Sequence, residues 1–244
     1  MFKPIERKSL ADSVYEQLRD AIVGGAFPAG SSLPSERQLR EQLGVNRGAL
    51  REALKRLEEA RLVRIRHGGA TEVLDYREHA GTSLLEDLLV APDGSVRTRV
   101  ARSVIEMRAA LAPDIARLAA ERAGPECVVR LHDLIAQLRE TDDVLAQQHI
   151  ALDYWAALVD GSDNLAYRLA YNSLREGYVR FMHLLSPILA DEVGDADAYE
   201  AIADAVAVGD ADAAKNLSHA LLSRGTGAMT ALMDALGREQ EETP

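Results

Sequence analysis

A single cysteine, Cys127, leaves no partner for an internal disulfide and no set of thiolates for a cysteine-rich zinc module. It lies in an apolar-periodic stretch, which favours an inert, half-buried thiol over a redox sensor. Aromatic residues are scarce at 5%, although hydrophobic residues reach 47%, ample for real cores. No apolar run approaches the roughly 18–20 residues that cross a bilayer, and the N-terminus lacks a signal-peptide core, so a cytoplasmic product is expected. The sequence has no Gly-rich phosphate loop, no nucleophile elbow and no His/Asp set at catalytic spacing, so an enzyme is not expected. The histidines, at positions 67, 79, 132, 149, 183 and 219, show no metal-ligand spacing.

Lysine is scarce too: the 28 basic residues include only Lys3, Lys8, Lys55 and Lys215. The rest are arginine, whose planar fork suits bidentate contacts to guanine and phosphate. A net charge of −11 argues against a polyanion partner until it is divided along the chain. Residues 1–74 carry 13 Lys/Arg and 10 Asp/Glu, net +3, and residues 75–244 carry 15 and 29, net −14. Only the N-terminal third is suited to meet a polyanion, and the acidic remainder confines contact to it. A length of 244 residues suits two compact domains.

In the first of these, Leu10, Val14, Leu18 and Ile22 recur every four residues and predict a helix capped by Ser9 and ended at Gly24-Gly25. A turn-rich stretch, Phe27-Pro28-Ala29-Gly30, follows. Ser35 with Gln38 three residues on is a capping box for a second helix, which buries Leu39 and Leu43 and stops at Gly44. A third helix is predicted from about 46 to 60, with Leu50, Ala53, Leu54 and Leu57 as its apolar stripe. Two short helices around a glycine-containing turn form a helix-turn-helix, whose second helix enters the major groove by its N-terminus. Gly48 and Ala49 let the backbone approach closely, and Arg47 and Arg51 extend from the same end. Beyond Arg61 the period falls to two. Residues 62–66 and 71–74 then read as strands around His67-Gly68-Gly69-Ala70, a wing whose Arg66 and His67 suit a minor groove.

On these residues the segment 9–74 resembles the DNA-binding domain of the GntR superfamily. The carrying motifs are Phe27-Pro28-Ala29-Gly30-Ser31-Ser32-Leu33-Pro34-Ser35-Glu36-Arg37 and Leu43-Gly44-Val45-Asn46-Arg47-Gly48-Ala49-Leu50-Arg51-Glu52-Ala53-Leu54. The resemblance implies operator contacts from Arg37, Asn46, Arg47, Arg51, His67 and Gly68, with Gly48 and Ala49 at the interface. Arg47 would read guanine, and Arg37 and Arg51 would hold phosphate or base edges. Position 49 often bears a hydroxyl in relatives, and Ala49 lacks it.

A linker at 75–82 separates this head from a mainly helical remainder, 83–244. Helices are predicted near 83–91, 96–122, 126–140, 142–160, 164–185, 196–208 and 210–236, with breaks that include Ser186-Pro187 and Gly209-Asp210. About seven helices in that length predict an all-helical antiparallel bundle, whose interior is a natural ligand pocket. This half resembles the FadR branch of the same superfamily through Val104-Ile105-Glu106-Met107-Arg108, Ala151-Leu152-Asp153-Tyr154-Trp155, Ser162-Asp163-Asn164 and the final helix after Gly209-Asp210.

Many members of that branch hold a divalent metal through Asp and three His. Here the resemblance puts Ala151, Trp155, Tyr199 and Leu221 at those places, or in a different alignment brings in Asp153 but leaves Ala157 at the first histidine position, so no metal is expected. The branch without metal includes regulators that answer to long-chain acyl-CoA, and the resemblance implies a fatty-acid or acyl-CoA effector, or failing that a small organic acid. The lipophilic candidates are Trp155, Tyr171, Tyr178, Phe181, Met182, Tyr199, Leu221 and Met229, each of which also suits ordinary bundle core. Cations for an anionic head are Arg108, Arg180, His183 and Arg224. Arg108 has a second reading, a buried ion pair with a carboxylate such as Asp153. A homodimer on a pseudo-palindrome is expected, because one recognition helix reads one half-site.

Overall fold

The computed structural model describes residues 9–66, 70–91 and 93–242. The chain divides into two compact units, Met1–Ser95 and Val96–Pro244. The first contains α1 (Leu10–Val23), α2 (Glu36–Leu43), α3 (Arg47–Glu59), β1 (Val63–Arg64), β2 (Glu72–Val73), α4 (Tyr76–His79) and α5 (Leu84–Leu89). The second contains α6 (Thr98–Arg122), α7 (Pro125–Arg139), α8 (Val144–Gly161), α9 (Leu165–Val193), α10 (Ala196–Ala207) and α11 (Ala211–Glu242).

Local chemistry sets the ends of the first three helices. Ser9 and Asp12 form a reciprocal capping box on α1, and Ser35 and Gln38 form another on α2. Gly44 ends α2 in the left-handed region at φ 66°, and Asn46 caps α3 by accepting from the Ala49 amide at 2.9 Å. Leu50, Ala53, Leu54 and Leu57 of α3 pack with Val14, Leu18 and Ile22 of α1 in the head's core. Leu10 does not join them, since it is 58% exposed and Ala11 and Tyr15 are buried instead. Replacing Ser35 by alanine removes the cap on an eight-residue helix. It should cost about 1 kcal/mol of head stability, read as a lower thermal midpoint.

β1 and β2 pair antiparallel, Val63 with Val73 and Arg64 with Glu72. The segment before α2 adds to the other edge of β2: Gly30 N donates to Val73 O, Val73 N to Ser31 O and Leu33 N to Thr71 O, at 2.8, 2.8 and 2.9 Å. The stretch expected to serve only as a turn therefore also fastens the wing to the head. His67 and Gly68, the expected wing tip, lie outside the described residues.

Two expectations for the second half change. The expected linker contains α4, and α5, expected to open the second domain at 83, belongs to the first unit. There Leu84, Leu88 and Leu89 are buried, and Asp87 accepts from the Tyr15 hydroxyl and from Arg19 Nη1. The second unit begins at Val96 and holds six helices. The expected break at Ser186-Pro187 is absent, and α9 continues to Val193. Pro187 is exposed, which leaves its ring and its missing donor on the water side. Ser186 Oγ donates to Met182 O at 2.8 Å and accepts from Gln148 Nε2 of α8 at 3.0 Å.

Within this unit α6 lies along α11, α8 contacts α7 and α9, and α10 contacts α6, α7 and α11. Ala112, Ala116 and Ala119 keep the buried side of α6 thin, which permits close helix approach. Leu131, Ile135, Leu158, Ile202, Leu221 and Leu222 fill the centre. Among the described residues no helix is long and apolar enough to cross a membrane.

Candidate functional site

The N-terminus of α3 is exposed at Asn46, Arg47 and Gly48, with Ala49 half-buried. The core stripe fixes that orientation: burying Leu50, Ala53, Leu54 and Leu57 turns the opposite face outward. Three arginines converge on this surface in different states. Arg37 pairs with Glu41 at 3.2 Å and Arg51 with Glu36 at 3.3 Å, both in the open. Arg47 has no hydrogen-bond or ion-pair partner among the described residues and is exposed. Exposed pairs are worth little and exchange readily for phosphate, whereas an unpaired guanidinium needs no exchange. On the wing, Glu72 pairs with both Arg64 at 3.5 Å and Arg66 at 2.7 Å. Asn46 is committed to its cap, so its side-chain oxygen is already used.

The second site is the interior of the helical unit. Arg108 of α6 reaches Glu192 of α9, where Nη2 donates to Oε1. Glu192 is 2% exposed and the Arg108 side chain 21%. Gly225 of α11 makes room for the pair, because a methyl at that position would overlap the Glu192 carboxylate and Leu189. The expected partner Asp153 is instead on the surface with Arg175 at 3.5 Å. Burial pushes the Glu192 carboxyl up, and Arg108 only partly opposes this.

Three tyrosines lie within electrostatic reach of this pair: Tyr171 and Tyr178 of α9 and Tyr199 of α10. Desolvation raises all three hydroxyl pKa values far above the ordinary tyrosine range. Tyr171 donates to Leu152 O. Tyr154 donates to Tyr199 O at 2.8 Å and packs edge-on against the Tyr199 ring at 4.8 Å. The Trp155 indole N–H is directed at the Tyr199 hydroxyl oxygen. Arg108 Nη1 and Gln148 Oε1 are buried without a partner among the described residues, and the Gly225 backbone faces the Glu192 carboxylate.

The other candidates sort clearly. Leu221, Met182 and Met229 are buried and Phe181 is half-buried. Arg180 and His183 are exposed on α9. Arg224 holds Asp195 at 2.6 Å with half its side chain in water, although its charge is felt at Glu192. Of the four expected cations only Arg108 enters the interior. Glu192 and Gln148 were missed by sequence reasoning. Glu192 follows Leu185, Ile188 and Leu189 at helical spacing, a signal hidden once the helix is stopped at Pro187. Cys127 is half-buried and donates to Ala157 O at 3.4 Å; burial pushes its thiol up, which leaves it unreactive.

Comparison with known proteins decides the family. Residues 10–73 match the bacterial regulatory proteins of the gntR family, and residues 103–224 match the FCD domain. The HTH-type transcriptional regulator Mce2R of Mycobacterium tuberculosis is 38% identical over 238 residues, 97% of this chain and 99% of its own. This chain belongs to the gntR family. The gntR-family chain is also 33% identical to the fatty acid metabolism regulator protein of Pectobacterium carotovorum over 178 residues, 72% of each. In fold it resembles Lar of Listeria monocytogenes, with TM-score 0.56 and 15% identity over 93% of this chain and 100% of that one. A gntR-family regulator from Pseudomonas syringae gives 0.50 and 21% over 95% and 89%.

Family and relatives are transcription regulators, not enzymes, and this gntR-family chain pairs a helix-turn-helix head with an FCD effector domain. The metal-donor set that the resemblance brings to such domains does not fit here. Ala151, Trp155, Tyr199 and Leu221, which the resemblance puts at its places, are all buried, and none is a hard-metal or zinc ligand. Among the described residues no three His, Cys, Asp or Glu side chains gather where a metal could be held.

Proposed function

We propose that this regulator binds a pseudo-palindromic operator as a homodimer and answers to a long-chain acyl-CoA or fatty acid, without a metal. What supports the effector reading is that Ala151, Trp155, Tyr199 and Leu221, the residues the resemblance puts at the donor places, are all buried and none is a metal ligand. A fatty chain is the ligand class that such a lining receives. Full-length kinship to regulators and partial kinship to a fatty acid metabolism regulator support the same direction.

On the operator, Arg47 reads guanine, Arg37 and Arg51 exchange their carboxylate partners for phosphate or base edges, and the wing enters the minor groove. Self-association is supported by α9, on which Leu165, Leu169, Val179 and Leu184 are exposed in the single chain. Effector binding alters operator affinity by favouring one arrangement of the two heads over another, since only differential affinity can transmit the signal.

The test uses duplexes selected from a random pool by the full chain. Micromolar palmitoyl-CoA should weaken retention of the selected duplex at least about tenfold, by differential binding to the two states. Citrate and lactate should leave it unchanged. Release by citrate and not by palmitoyl-CoA would replace the lipid reading with an organic-acid one.

A further inference from the structure

Arg37 and Arg51 each have a carboxylate of their own, but on the wing two arginines share one. Arg64 Nη1 and Arg66 Nη2 both approach Glu72 Oε2, at 3.5 and 2.7 Å. The two arginine side chains are 51% and 62% exposed, whereas that of Glu72 is 26% exposed. The backbone of Glu72 is pinned. β2 is the middle strand, held by β1 on one edge, with Arg64 opposite Glu72, and by the 30–33 segment on the other. The arginine-bearing stretch is fastened as well, because Ile65 N donates to Glu58 Oε1 of α3 at 2.8 Å. Two positive charges and one negative charge are thus held in a fixed place relative to the helix that presents Arg47.

From this arrangement we infer that Glu72 is a positioning residue of the wing which, through Arg64 and Arg66, limits the grip of the head on the phosphodiester backbone of any sequence. An exposed arginine leaves its carboxylate for a phosphate at little cost, so pairing alone blocks neither Arg64 nor Arg66. The carboxylate, however, stays on a strand fastened at both edges, and it faces the same phosphates once its partners have turned to them. Like charges so placed repel, and the two arginines together then neutralise about one phosphate in place of two. Bases are read by α3, so a weaker hold on the backbone leaves a larger share of the binding to sequence. This inference rests on the reading that the wing meets the duplex, and it identifies the residue that tempers that contact.

The experiment measures binding of the full-length protein to a duplex of scrambled sequence between about 50 and 200 mM salt. It compares the unaltered protein with Glu72→Gln and with the double change Arg64→Gln, Arg66→Gln. Glu72→Gln should bind more tightly and steepen the fall of log affinity with log salt by about 0.9 per head, or about 1.8 for two heads on one duplex. Its advantage over the unaltered protein is then about tenfold larger at the low-salt end than at the high-salt end. Damage to the fold weakens binding, so a gain of this form has no merely structural explanation. The double change should flatten the salt dependence. If it does so while Glu72→Gln is no steeper than the unaltered protein, the inference is overturned and the wing keeps its place on DNA. Slopes unmoved by either variant overturn the inference together with the wing reading. Should Glu72→Gln not melt as a folded protein, Glu72→Thr, which suits a strand, takes its place with the same expected result.

Discussion

Arg47→Ala should abolish operator retention, with a loss of at least about 100-fold, while the protein melts as before. The size follows from a bidentate arginine–guanine contact, about 1–3 kcal/mol of discrimination, lost in both half-sites of a dimer. The unchanged melt follows from position: Arg47 is exposed at the first turn of α3 and has no partner among the described residues to leave behind. Substitutions of that kind stay within about 0.5 kcal/mol. Arg37→Ala and Arg51→Ala each release a carboxylate as well as removing a cation, so they weaken binding less cleanly. Retardation of the selected duplex measured beside thermal melting separates the outcomes, and undiminished binding by Arg47→Ala would remove α3 as the reading element.

Arg108→Ala is the largest stability effect expected. Taking one partner from a buried pair costs about 3–5 kcal/mol, because the remaining charge is left uncompensated. The low end applies here, since the Arg108 side chain keeps 21% of its surface in water. The pH dependence has a definite sign. Glu192 titrates above the ordinary glutamate value when folded, because burial outweighs the Arg108 charge. Its contribution is therefore fully present below the unfolded pKa and fades as pH rises through the folded one. Without Arg108 the folded pKa climbs further, so the variant loses most at pH 8 and least near pH 4.5. Denaturant melts of both proteins across that range measure it. A cost independent of pH would show that Glu192 does not respond to Arg108. The double change Arg108→Met with Glu192→Leu, which removes both charges, should recover most of the loss.

Much of the head could be read before any coordinates existed because its rules are local. A Ser-x-x-Gln cap, a glycine in the left-handed region and a four-residue apolar repeat each act within one turn of helix, and α1, α2 and α3 end within a residue or two of where those signals place them. The exposed face of α3 was legible for the same reason, since burying one stripe fixes what the opposite side presents. Less legible was the sheet edge at 30–33. Backbone pairing with 71–73 depends on where the chain returns some forty residues later, and no side-chain pattern in the segment records it.

The helical half divides along the same line. Composition and period established the helices, because apolar spacing is a local property of the chain. Tertiary structure alone chose which helix α5 serves, carried α9 past Pro187, and brought Glu192 to Arg108 across 84 positions of sequence. A proline ends a helix only if its lost donor and its ring fall where nothing accommodates them. A buried arginine takes the carboxylate that packing delivers, here Glu192 rather than Asp153. Residue types fixed what the chain is able to bind, and long-range packing, which no local period encodes, decided which of its charges remain available to do so.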